Sequence, residues 1–164
     1  MSAIPDGLKI NTRFTVHRYE DEARFAAGTP YDVSEFGPNL GLNEGLQAAL
    51  DLIFGTGSPT AFNAANAYLG VGDSSAAEAA TQTDLQASTN KTYKAMASTY
   101  PSRSAQTVTL QAVFGSADAN YAWNEFTVAN GSSGAAVNLN RKVSAQGTKV
   151  SGQTWTLTVT ITLA

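Results

Sequence analysis

The chain carries one histidine and no cysteine, and these two facts remove most metal and nucleophile chemistry at the outset. Thiolate nucleophiles, disulfides and Cys-ligated zinc are absent, and tetrahedral zinc at His17 would need several carboxylates from distant segments. His17 sits between Val16 and Arg18 in a charged stretch, where a lone imidazole reads as a surface residue. Leu69-Gly-Val-Gly-Asp-Ser-Ser75 contains the Gly-Asp-Ser that opens one class of hydrolase nucleophile block. That chemistry needs a base histidine, normally near the C-terminus, and none follows residue 17. Gly70-x-Gly72 is half of a dinucleotide fingerprint, without its third glycine or the alternating strands and helices around it. The segment reads instead as a strand ending in a turn, with glycine supplying a positive φ.

Glycoside cleavage needs two carboxylates facing one sugar. Asp73, Glu78, Asp84, Asp118 and Glu125 are the acids to consider, and only Glu125 falls within an expected strand, on one face with Tyr121 and Trp123. Two aromatic rings beside an acid can stack a sugar ring, so Tyr121, Trp123 and Glu125 are the candidate ligand-binding residues; half-buried packing with a solvated acid is the plainer alternative. Asn63-Ala-Ala-Asn66 lacks the acids of a calcium loop. Arg141-Lys142 and Lys149 make a small basic spot at a strand end. No catalytic residue, metal or cofactor is expected.

The elements that would position these side chains are mostly strands. Leu8, Ile10, Phe14 and Val16 alternate with Lys9, Asn11, Arg13 and Thr15, which reads as a strand or as an extended segment laid on another surface. Pro5, Gly28-Thr29-Pro30 and Gly37-Pro38 punctuate this region, and a shorter extended piece spans Tyr31 to Phe36. Residues 1–38 are therefore expected to form an extended N-terminal arm, and residues 39–164 a β-domain. Leu42, Leu46, Ala49, Leu50, Ile53 and Phe54 recur at helical spacing, which predicts a helix near residues 43–54 with Asn43 as N-cap and Gly55 as stop; one apolar face predicts that this helix lies on a sheet. Thr81-x-x-Asp84 is a weak capping box.

Strands are expected over Ala67 to Gly72, Lys91 to Thr99, Gln106 to Phe114, Tyr121 to Ala129, Val137 to Val143 and Thr154 to Leu163. Their spacing of roughly a dozen residues, with turn chemistry between, predicts an antiparallel sandwich or barrel. The last is the clearest. Trp155, Leu157, Val159, Ile161 and Leu163 form one face, and five threonines form the other.

At 164 residues and 17.1 kDa the chain suits one domain with an arm. Charged residues are only 14%, and ten basic against thirteen acidic side chains argue against a phosphate-binding surface. No Sec signal and no membrane span are expected, since the longest apolar stretch, Leu46 to Phe54, is about half a bilayer span.

Several blocks in order resemble a family of tailed-bacteriophage virion proteins. They are Asn39-Leu-Gly-Leu-Asn-Glu-Gly45, Thr60-Ala-Phe-Asn-Ala-Ala-Asn-Ala-Tyr-Leu-Gly-Val-Gly-Asp73, Gln82-Thr-Asp-Leu85, Asn90-Lys-Thr-Tyr93, Tyr121-Ala-Trp-Asn-Glu-Phe126, Leu139-Asn-Arg-Lys-Val143 and Trp155 to Leu163. The resemblance covers about three quarters of the chain and implies a structural, non-enzymatic role on the phage particle. With the physical features, it leads to the expectation of a capsid decoration (cement) protein on the virion surface. Its partners would be the major capsid protein and neighbouring copies of itself in a homo-trimer, without nucleic acid or membrane. The arm residues Leu8, Ile10, Phe14, Val16 and Tyr19 would dock on a neighbour, and Arg13, Arg18 and Arg24 would make charged contacts. A tail-fibre or receptor-binding protein facing host glycan, or a tail-tube subunit, is the alternative.

Overall fold

A computed structural model describes residues 7–164; the opening of the expected arm, with Pro5, lies outside them. The chain is mainly β, as expected, and forms two antiparallel five-stranded sheets around one core. In chain order the elements are β1 (Ile10–Tyr19), α1 (Glu22–Ala26), β2 (Asp32–Phe36), β3 (Leu40–Gly41), α2 (Asn43–Phe54), β4 (Tyr68–Gly72) and β5 (Lys91–Ala95). There follow β6 (Ser102–Ser104), β7 (Thr107–Phe114), β8 (Glu125–Ala129), β9 (Asn140–Val143) and β10 (Thr154–Leu163). One sheet has the order β2-β1-β10-β7-β6 and the other β3-β9-β8-β4-β5. Among the described residues no helix is long and apolar enough to cross a membrane.

The expected division into arm and domain does not hold. β1 pairs with β10 along its whole length, from Ile10 opposite Leu163 to Tyr19 opposite Thr154, and β2 pairs on its other flank. Phe14 and Val16 are fully buried in the shared core with Leu157 and Val159. The apolar alternation at the front of the chain is thus completed by the chain's own second sheet. Leu8 and Ile10 share the parity of Phe14 and Val16 but stay exposed, as does Leu163 opposite Ile10.

Aromatic rings join the two layers. Phe14 and Phe36 stack at 5.4 Å, Phe36 meets Phe126 at 4.8 Å, and Trp123 lies edge-on to Phe114 at 4.7 Å and to Trp155 at 5.0 Å. Such pairs add about 0.5–1.5 kcal/mol each beyond their burial. Arg18 covers one end of this cluster, its guanidinium 4.9 Å from the Trp155 ring. It donates to Asp32 at 2.7 Å, to Ser34 at 3.0 Å and to the Gln146 carbonyl at 2.7 Å, which ties β1, β2 and the β9–β10 connection together.

The helix α2 has the expected bounds, and Gly55 ends it in the left-handed conformation with φ 64°. Its N-cap position is held by Leu42 instead of Asn43, and no side chain caps it; the Glu44 carboxylate accepts from the Asn138 amide at 2.6 Å. The helix does not lie on a sheet. Gly45 lets the first turn press on residues 138–139, where a Cβ would stand 2.3 Å from the Leu139 Cα. Beyond that turn only Ala48 is buried, and Leu50, Ile53 and Phe54 are exposed.

Phe14→Ala should cost about 3–5 kcal/mol of folding stability, read as a lowered urea midpoint at unchanged m-value. An arm that docks elsewhere would leave the midpoint unmoved.

Candidate functional site

The three residues expected to stack a sugar do not share a surface. Ala122 touches a partner strand only through an isolated bridge to Thr148, and the regular ladder of β8 begins at Glu125. Across this irregular stretch the alternation slips. Trp123 joins Phe126 in the core, with its indole N–H on the Ala119 carbonyl at 3.0 Å, while Glu125 is buried elsewhere. The Tyr121 hydroxyl donates to the Val71 carbonyl at 3.1 Å and bonds to Thr92 at 2.9 Å. Burial pushes that phenol up to about 12, with Asp73 and Glu125 adding to the effect and Thr92 opposing it. A sugar therefore cannot reach this trio.

Glu125 instead anchors a polar network behind the second sheet. Its Oε2 accepts from the Arg141 Nε at 2.8 Å and from the Gln86 amide at 2.8 Å, and its Oε1 from the Ala87 amide at 2.7 Å. Arg141 Nη2 also lies 2.7 Å from Oε2, a contact of charge without hydrogen-bond alignment, and both side chains are fully buried. Arg141 Nη1 donates to the carbonyls of Ala76 and Ala77 and to Gln82 Oε1. The pair thus holds an irregular connection, residues 73–90, against strands β8 and β9. Asp84 continues the network by accepting from both Lys91 and Tyr93. Burial, and then Asp84, push the Tyr93 phenol well above its usual range, so it acts as a neutral donor.

This network explains Gly70-x-Gly72. Neither glycine has the positive φ expected of it. A Cβ on Gly72 would stand 2.4 Å from Glu125 Oε1, and one on Gly70 would stand 2.6 Å from the Thr127 methyl. The glycines leave room for their neighbours on β8. The expected basic spot dissolves in the same way, because Arg141 and Lys149 are both fully buried. Lys149 donates to the Gly115 carbonyl at 2.7 Å and to Asn120 at 2.8 Å; burial lowers its pKa, and Asp118 partly offsets this.

Of the expected docking residues, Phe14, Val16, Arg18 and Tyr19 are buried in their own protomer, and Tyr19 packs edge-on to Phe25 at 5.3 Å. Arg13 stays exposed and pairs with Glu35 at 2.8 Å, and Arg24 is exposed in α1. Three other candidate surfaces stand out among the described residues. An open polar trough of about 740 Å³ includes Asn11, Arg13, Glu35, Thr160 and Thr162 in its lining. An apolar mouth of about 360 Å³ between the sheets is lined by Phe62, Val108, Leu139, Ile161 and Leu163, with Arg103 among its residues. The third is the bare face of α2. Among the described residues no three His, Cys, Asp or Glu side chains gather to hold a metal ion. Comparison with protein-family models, curated proteins and solved structures finds no match to this chain.

Removing one member of the buried pair, as in Glu125→Ala, should destabilise the fold by about 3–5 kcal/mol. Glu125→Leu combined with Arg141→Met should recover part of that loss, and urea titration of the single and double variants checks both. A second outcome concerns acid. Burial raises the Asp118 pKa, but Lys94, the Gly115 amide and Lys149 outweigh it and hold the carboxyl below its ordinary 3.8. The lower pKa in the folded state gives stability that is present above 3.8 and is lost as pH falls through the folded value. The stability gap between the wild type and Asp118→Asn should therefore narrow as urea titrations move to pH below 3.8.

Proposed function

We propose that this chain is a structural protein of a tailed-bacteriophage particle, a decoration protein that binds the outside of the assembled head. The observation that carries a binding role is the location of its unsatisfied surface: apolar side chains are bare on α2 and at the β1–β10 end, while the buried charged groups are consumed in structural networks. The motif resemblance supports the phage setting. The contact is made by the surface of the folded sandwich, because Phe14, Val16, Arg18 and Tyr19 of the expected arm are buried in the protein's own fold. A protein that binds only the assembled shell stabilises it by mass action, and many copies multiply the effect. The major capsid protein is the partner in this reading, and copies of the chain associate with one another as a trimer.

A receptor-binding role at a tail tip is the second reading, and the polar trough favours it. Asn11, Thr160, Thr162 and the Arg13–Glu35 pair offer the mixed donors and acceptors that a glycan uses. Gold-labelled antibody on intact particles distinguishes the two. Dense labelling of heads, together with a higher temperature of head rupture when the protein is added to bare heads, is the expected result. Label restricted to tail tips, with a handful of copies per particle, would overturn the decoration reading.

A further inference from the structure

We propose that α2 is the docking element through which this chain binds a second copy of itself, with its C-terminal half seated in the neighbour's apolar mouth. This deepens the self-association named above and rests on that part of the reading alone.

The helix presents Leu46, Leu50, Leu52, Ile53 and Phe54 at 41, 54, 40, 69 and 71% exposure. Leu46, Leu50, Ile53 and Phe54 follow the spacing that in a surface helix faces the core. Here Gly41 of β3 lies beside Leu46, but Leu50, Ile53 and Phe54 stay exposed and only Gly45 and Ala48 are buried. The bare apolar area is roughly 500 Å², the size of the largest patch on a typical monomer and more than half of the ~800 Å² per partner in a standard interface.

The charge of the two surfaces selects the mouth as the receiver. No Lys or Arg occurs between Asn39 and Asn90, and α2 carries Glu44 and Asp51 with no base in its last turn. Two such helices set face to face would bring acidic side chains together with no base between them, and packed parallel they would also oppose their C-terminal carbonyls. The mouth offers the opposite sign, because Arg103, exposed on β6, stands among its apolar lining. Its volume of about 360 Å³ lies at the low end of small-molecule pockets, which suits an aromatic and a branched aliphatic side chain entering together. A contact between unlike surfaces repeats around a ring, and a ring of three agrees with the trimer named above.

The chain has no cysteine, so introduced thiols report cleanly. Gln106 lines the mouth, so Phe54→Cys chains mixed with Gln106→Cys chains should form an intermolecular disulfide on mild oxidation, whereas Ile53→Cys alone should not. In sedimentation, the wild type should associate below about 0.1 mM. Phe54→Asp should weaken that association at least tenfold with an unchanged urea midpoint, because the side chain is exposed. Arg103→Glu should weaken it too, and Asp51→Arg added to Arg103→Glu should restore part of it. A wild type that stays monomeric at 0.1 mM, or a disulfide in Ile53→Cys with none in the mixed pair, would overturn the proposal. Head binding separates this from the decoration reading: an oligomer that ignores heads sinks only decoration, and a monomer that binds heads sinks only this contact.

Discussion

The ladder between β1 and β10 governs the rest of the molecule. Ten consecutive residue pairs join the two ends of the described chain, and the inward members of both strands, Phe14, Val16, Trp155, Leu157 and Val159, supply one wall of the core. Once β10 is flanked by β1 and β7, its sheet extends to β2 and β6, and the second sheet must close over the same side chains. Arg18 shows how tight that closure is. A guanidinium at this depth is tolerated because three side chains and a backbone carbonyl take its hydrogen bonds and the Trp155 ring lies under it. Taking β1 away would expose the wall it completes.

The second sheet faces a different problem on its outer side. It is covered by an irregular connection with few apolar side chains, where only Leu85 and Ala87 are buried hydrophobics. Hydrogen bonds accepted by Glu125 and Asp84 and donated by Arg141 and Asn138 take over the work that apolar burial does elsewhere. Such a network tolerates change badly, because deleting one member leaves another buried and unpaired. That constraint buries Glu125, Arg141 and Lys149, which a site could otherwise have used, inside the fold.

The regular parts of this arrangement were legible. The alternation of Trp155 to Leu163 predicts β10 with its observed bounds, and the spacing of Leu46, Leu50, Ile53 and Phe54 predicts α2 with its observed bounds. What alternation does not encode is the partner. Phe14 and Val16 require a covering surface, and the same pattern serves a neighbour's sheet or the chain's own. Likewise, α2 has an apolar face whether or not a sheet lies beneath it. The strand expected from Tyr121 begins at Glu125, because Trp123 turns into the core and its amide bonds to the Gly147 carbonyl at 2.9 Å. The Glu125–Arg141 pair went unread since its members are 16 residues apart and meet only through sheet pairing. One signal did point to it: glycines at alternate positions of β4 imply bulky neighbours on that face.

The molecule is a closed sandwich whose front end is structural, and the far half of α2, bare on its apolar face, is the surface proposed to bind a second copy. Hydrogen–deuterium exchange, followed residue by residue at rising protein concentration, addresses both halves of that claim at once. The account predicts that amides of Phe14 and Val16 exchange only on global unfolding at every concentration, while those of Leu50 to Phe54 exchange quickly when dilute and slow as the protein associates. Fast exchange in β1 together with concentration-independent exchange in α2 would contradict it.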